Sequence, residues 1–207
     1  MNNYVVSHIP KTQVAQRPAI PMVAKYITIH STGNLYSTAK NERDNLARTN
    51  NKAQVSFHLV VDENDVYECI PFNEVAWHAG DGRGPGNTQS IAIEICESGD
   101  RAKTLENAAI LVAELLKKFG FGTGQLRQHF DWSGKNCPRI LRTGDNWKKF
   151  ILSIEDKMNM RDNKHWAQDS IDWCIEKGYF EKTDDFRADE PLLRCEMAVI
   201  LKRIFGK

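Results

Sequence analysis

Residues 90–120 read SIAIEICESGDRAKTLENAAILVAELLKKFG, and this stretch decides the fold class. Ser90 to Cys96 is apolar except for Glu94 and reads as a strand. Thr104 is placed to cap a helix running to about Phe119. Ala108, Leu111, Val112, Leu115, Leu116 and Phe119 form one apolar stripe on it, and Gly120 suits its stop.

The same alternation continues on both sides. Val23 to His30 reads as a buried strand ending at His30, broken by the turn Ser31-Thr32-Gly33-Asn34. Residues 36–53 are polar and helical in part. Val55 to Val61 is a further strand, and Val66 to Ile70 completes a hairpin with it across residues 62–65. Residues 81–87 (DGRGPGN) form a glycine-rich loop. Asn146 to Met158 closes the domain as a helix with Trp147, Phe150, Ile151 and Ile154 inward. Strands interleaved with helices predict an α/β domain, a central mixed sheet flanked by helices.

Composition shifts after Met158. Residues 158–163 read as a linker, and two short amphipathic helices follow. Trp166, Ile171 and Ile175 anchor the first, and Met197, Ile200, Leu201 and Ile204 the second. The expected division is an α/β domain over residues 1–157 and a small all-α domain over 158–207. So short a unit has little core of its own, which points to support from the first domain or to self-association.

The chain has 207 residues and a formal net charge of +1, with no polybasic block, so nucleic acid is not an expected partner. No apolar stretch approaches the roughly 18 residues of a membrane span, so membrane insertion is not expected. The N-terminal MNNYVVSHIPKTQ lacks the pattern of a signal peptide, and synthesis in a cytoplasm is the expectation. Five cysteines without regular spacing make a poor disulfide framework. Cys69, Cys96, Cys174 and Cys195 read as small buried hydrophobes, whereas Cys137 has polar and basic neighbours that suit a thiolate.

Chemistry concentrates in residues 128–140, QHFDWSGKNCPRI. His129 and Cys137 can close on one metal ion from a single loop, and Zn²⁺ accepts both donor types. A third ligand must come from elsewhere. His30 at its strand end is the best placed, but spacing alone leaves His58 and His78 open as well; His8 and His165 have no supporting context. Glu94 is either a solvent-facing residue opposite Ile93 and Ile95 or a proton carrier for a site. Lys135 is either a solvated loop lysine or a cation reaching that site.

The stretches ITIHSTGN, QVSFHLVVDENDVYECIPFNEVAWHAGDG, NTQSIAIEIC and QHFDWSGKNCP resemble the zinc-dependent N-acetylmuramoyl-L-alanine amidases of the type 2 family. They run in family order from about Tyr26 to Arg142, and the assembly most resembles phage endolysins acting on Gram-positive walls. The resemblance implies the sheet-and-helix fold shared with peptidoglycan recognition proteins. It implies Zn²⁺ held by His30, His129 and Cys137, with Glu94 and Lys135 catalytic. It places His58, His78 and Asn87 near the groove as candidate substrate contacts. Many relatives carry a tyrosine where this chain has Phe57, which has no proton to give. Residues 162–206 resemble one S-layer homology module, a family that binds secondary cell-wall polymers, here with Trp166 and Arg194 as candidate contacts. The usual threonine and alanine of that family's T-R-A-E segment are Leu193 and Cys195.

The implied activity is cleavage of the amide between N-acetylmuramic acid and L-alanine in peptidoglycan. An enzyme of this kind waits in the cytoplasm until the membrane is opened, then acts on the wall. Competing readings are a non-catalytic peptidoglycan binder of the same fold, against which Cys137 argues, and a muropeptide-recycling amidase or host autolysin.

Overall fold

A computed structural model describes residues 3–162, 168–180 and 194–205. The chain divides into two compact units, Met1–Met158 and Asn159–Lys207. In the first, six strands form one mixed sheet. They are β1 (Asn3–Val6), β2 (Tyr26–Ser31), β3 (Leu59–Val61), β4 (Asp65–Glu68), β5 (Ser90–Ile95) and β6 (Leu126–Gln128), in the order β1-β4-β3-β5-β2-β6. Only β3 and β4 pair antiparallel; every other neighbouring pair is parallel.

Period-two alternation sorts the two faces. Ile27, Ile29, Ile91, Ile93 and Ile95 are fully buried in a core shared with α3 (Arg101–Phe119) and α5 (Asn146–Asp162), through Leu111, Val112, Leu116, Phe150 and Ile154. Val60, Ala92 and Cys96 lie in a second, smaller core with Ala39 and Leu46 of α1 (Ala39–Leu46) and with Phe57. The sheet is thus covered on both sides. In the register of β2 against β5, His30 stands opposite Glu94.

Several boundaries differ from the sequence expectation. β2 starts at Tyr26, and Val23 is 77% exposed. The run from Val55 joins the ladder only at Leu59. The helix of the opening stretch begins at Arg101, because Asp100 accepts from the backbone N–H groups of Ala102 and Lys103; Thr104 is buried inside the first turns. Its end at Gly120 is as expected, with that residue left-handed at φ 66°. The glycine-rich loop contains a short helix, α2 (Pro85–Gln89), started by Pro85. β1 was not expected, since Asn3–Val6 is too exposed to show an apolar signature.

The linker expected at residues 158–163 is helical as far as Asp162, as the end of α5. The second unit contributes α6 (Gln168–Glu176) and α7 (Arg194–Phe205). Ile171 is buried, but Met197 and Leu201 are exposed rather than anchoring, and so is Cys195. Trp166 and His165 lie outside the described residues. Among the described residues no helix is long and apolar enough to cross a membrane.

Candidate metal centre

Two segments bring the site together. β2 delivers His30 at its C-terminal end. β6 passes directly into α4 (His129–Ser133), so His129 is the first helical residue. Gly134 then takes a left-handed conformation at φ 75°, which turns the chain back. The return is closed by the Phe130 N–H donating to the Cys137 carbonyl at 3.0 Å. Trp132 ties α4 to β2 by donating from Nε1 to Thr28 Oγ1 at 2.9 Å. Sequence reading overlooked a further brace. Arg139 donates from Nε to both oxygens of buried Glu97, at 2.8 and 3.0 Å, while Glu97 also accepts from the Gly33 N–H. The pair fastens the cysteine loop to the turn after β2. Its only signal in the sequence was a charged residue at the end of an apolar strand.

His30, His129 and Cys137 are all buried, and their donor atoms lie within 4.8 Å of one another. Cys137 Sγ stands 3.8 Å from His30 Nδ1. His129 Nδ1 is buried with no hydrogen-bond partner. A buried polar atom left unpaired is costly, so an orphan nitrogen facing a thiol and a second imidazole fits a metal ion. Two imidazoles and one sulfur, with room for a fourth ligand, form a donor set of the kind catalytic zinc uses.

The electrostatics agree with neutral imidazole donors. Burial, then the neighbouring His78, His129 and Lys135, hold His30 well below its ordinary range. Burial and Lys135 lower His129 to about 4. Burial pushes the Cys137 thiol up to about 11.

Glu94 lies beside these donors, with Oε1 4.0 Å from His30 Nδ1 and its side chain 18% exposed. Its other oxygen is buried without a partner. Burial, reinforced by Glu42 and Glu97 and opposed by Lys135, raises its carboxyl to about 8. It is neither solvent-facing nor buried in the second core, but faces the cleft. That cleft has a volume of about 510 Å³ and runs past His30, Glu94, Lys135 and Cys137 to Arg48 and Asn51. Lys135 is exposed on its wall.

Two of the expected substrate contacts have their polar atoms engaged within the fold. His58 is completely buried. Its Nδ1 accepts from the Ala92 N–H at 2.9 Å and its Nε2 donates to the Glu74 carbonyl at 2.8 Å, leaving nothing for a substrate. Asn87 is buried too; its Oδ1 accepts from the His78 and Ala79 N–H groups and its amide donates to the Gly82 carbonyl. Both side chains bond to backbone groups of the fold. His78 borders the cleft but is 7% exposed, with its ring 3.0 Å from His30. Phe57 belongs to the second core and also borders the cleft.

His58 carries a pH prediction. Burial lowers its pKa from 6.5 to about 4, against the Glu74 carbonyl, Glu68 and Glu74, which raise it. A folded pKa below the unfolded one gives stability that is complete above pH 6.5 and is lost as pH falls toward 4. Between pH 7 and 5 this amounts to about 2 kcal/mol. His58→Asn keeps an acceptor for the Ala92 N–H and cannot titrate. Urea unfolding in chelator should show the wild-type chain losing about 2 kcal/mol more than the variant over that interval. Equal losses would contradict the assignment.

The family described as N-acetylmuramoyl-L-alanine amidase matches residues 20–140. The N-acetylmuramoyl-L-alanine amidase CwlA of Bacillus subtilis (strain 168) is 42% identical over 155 residues, covering 72% of this chain and 56% of CwlA. The chain spans about half the length of the curated relatives it matches. The catalytic domain of XlyA superimposes with a TM-score of 0.69 at 38% identity, covering 73% of this chain and 99% of that domain. A mutant endolysin from Bacillus subtilis superimposes with a TM-score of 0.70 at 39% identity, covering 74% and 99%. The family match over residues 20–140 contains the whole donor cluster. The chain belongs to the N-acetylmuramoyl-L-alanine amidase family.

Proposed function

We propose that this chain hydrolyses the amide between N-acetylmuramic acid and L-alanine in the peptidoglycan of Gram-positive walls, as an endolysin of a phage or prophage. The observation that carries the reading is the buried His30–His129–Cys137 cluster, with the unpartnered carboxylate oxygen of Glu94 beside it in an open cleft. Zinc is the proposed metal, held by those three residues; bound there it supplies a Lewis acid and lowers the pKa of water toward about 7.

The chain's own groups do the rest. Glu94 accepts a proton from the attacking water and passes it to the departing amine of L-alanine. It stands near the end of β5, opposite His30 in the strand register. Lys135 places a cation near the carbonyl oxygen as negative charge develops there. Phe57 contributes no proton, so proton transfer rests on Glu94. The polar wall at Asn45, Arg48, Asn50 and Asn51 suits the amides and carboxylates of a peptide stem.

Lys135→Met is expected to lower kcat on isolated walls by about 10²-fold, with the melting temperature unchanged because the side chain is exposed. Wall clearance within twofold of wild type would remove Lys135 from the mechanism.

The second unit is proposed to hold the enzyme on secondary cell-wall polymer, and to support self-association. Its resemblance to an S-layer homology module supports this, and Arg194 is exposed at the start of α7. Arg194→Ala in the full chain should reduce co-sedimentation with polymer-bearing walls while leaving hydrolysis of soluble muropeptides intact. Undiminished co-sedimentation would count against Arg194.

A further inference from the structure

His78 is a buried imidazole behind the donor cluster to which the mechanism assigns no task. Its Nε2 lies 3.3 Å from the Ser90 carbonyl oxygen. A carbonyl only accepts, so this nitrogen carries the proton. Nδ1 of His78 is then the acceptor, and His30 Nε2, 3.0 Å away, is the donor. That leaves His30 Nδ1 with a bare lone pair, on the side where Cys137 Sγ stands at 3.8 Å. The rings meet edge-on, with centroids 5.0 Å apart and planes at 88°, an arrangement that a nitrogen-to-nitrogen hydrogen bond allows.

The His78 ring is itself clamped. Its backbone N–H and that of Ala79 both donate to Asn87 Oδ1 at 2.8 Å. Asp81 in turn accepts from the N–H groups of Gly86 and Asn87, at 2.7 and 3.2 Å. Gly86 must be glycine here, because a Cβ would fall 2.5 Å from Ala79 Cβ and 2.8 Å from Trp132. The glycine-rich segment thus holds the backbone of a histidine.

We propose that His78 is a positioning residue: reading a backbone carbonyl on one side, it fixes the tautomer of His30 on the other, so that His30 presents Nδ1 to the metal. It is neither a ligand nor a substrate contact. This rests on the metal centre proposed above, and the two can fail separately. Orienting partners of this kind are worth about 10–100-fold in metal affinity.

The test measures zinc affinity by chelator competition for the wild-type chain, His78→Phe and His78→Asn, and records long-range ¹H–¹⁵N spectra of the zinc-loaded wild type. His78→Phe removes the acceptor and should weaken zinc binding by about 10–100-fold. His78→Asn sets an oxygen near the Nδ1 position and should recover most of the loss. The spectra should show His30 and His78 both protonated at Nε2. Zinc held equally tightly by folded His78→Phe, or a His78 proton on Nδ1, would overturn the proposal. If His78→Phe does not fold, the wild-type tautomers decide. A wild-type chain that takes up no zinc would overturn the metal centre itself, a result visible before any variant is compared.

Discussion

Replacing Glu94 with glutamine should lower kcat by about 10²–10⁴-fold while zinc content and fold are kept. The amide has the size of the carboxylate but cannot accept a proton from water. The variant should melt no lower than wild type. Glu94 Oε2 is buried without a partner, so removing the ionisable group relieves a desolvation cost instead of breaking a stabilising contact. Lost activity with undiminished stability is the signature of a group placed for chemistry. Activity within tenfold of wild type would remove Glu94 as the proton carrier. Zinc lost together with activity would instead make Glu94 part of the metal's support.

The second large effect concerns Cys137. Cys137→Ala removes the one sulfur donor and leaves two imidazoles, too few for a stable catalytic site. After dialysis the wild-type chain should hold roughly one zinc and the variant almost none. Wall clearance by the variant should be undetectable, and added zinc should not restore it. Chelator-treated wild type, by contrast, should recover on zinc addition. The metal's affinity for the folded site also adds to stability, so zinc should raise the wild-type melting temperature and leave that of Cys137→Ala unchanged. A variant that clears walls at the wild-type rate would sink the centre as drawn.

How much of this was legible beforehand varies by physical cause. The strand-and-helix plan showed in the sequence because burial imposes periodicity. The apolar stripe of α3 and the isoleucines of β5 occupy the predicted faces. β1 was missed because an exposed edge strand has no such pattern, and the start of α3 was misplaced because Thr104 and Asp100 are both competent caps. Which cap wins depends on where the chain leaves the sheet. His30, Glu94, His129, Lys135 and Cys137 were identified through family motifs, and they line one cleft. Spacing alone could not join His30 to residues about a hundred positions away. The bonding of His58 and Asn87 could not be read from the sequence for a related reason. A motif shows that a residue sits near a site. It does not show whether its polar atoms face the cleft or are already spent on backbone groups, as those of His58 and Asn87 are.

The central claim is the bond that is cut, and product analysis of digested Gram-positive peptidoglycan tests it most directly. The purified full chain, loaded with zinc, should release new L-alanine amino termini in step with wall clearance and generate no new reducing sugar ends. Reducing ends, amino termini of another residue, or walls bound but left intact would contradict the account.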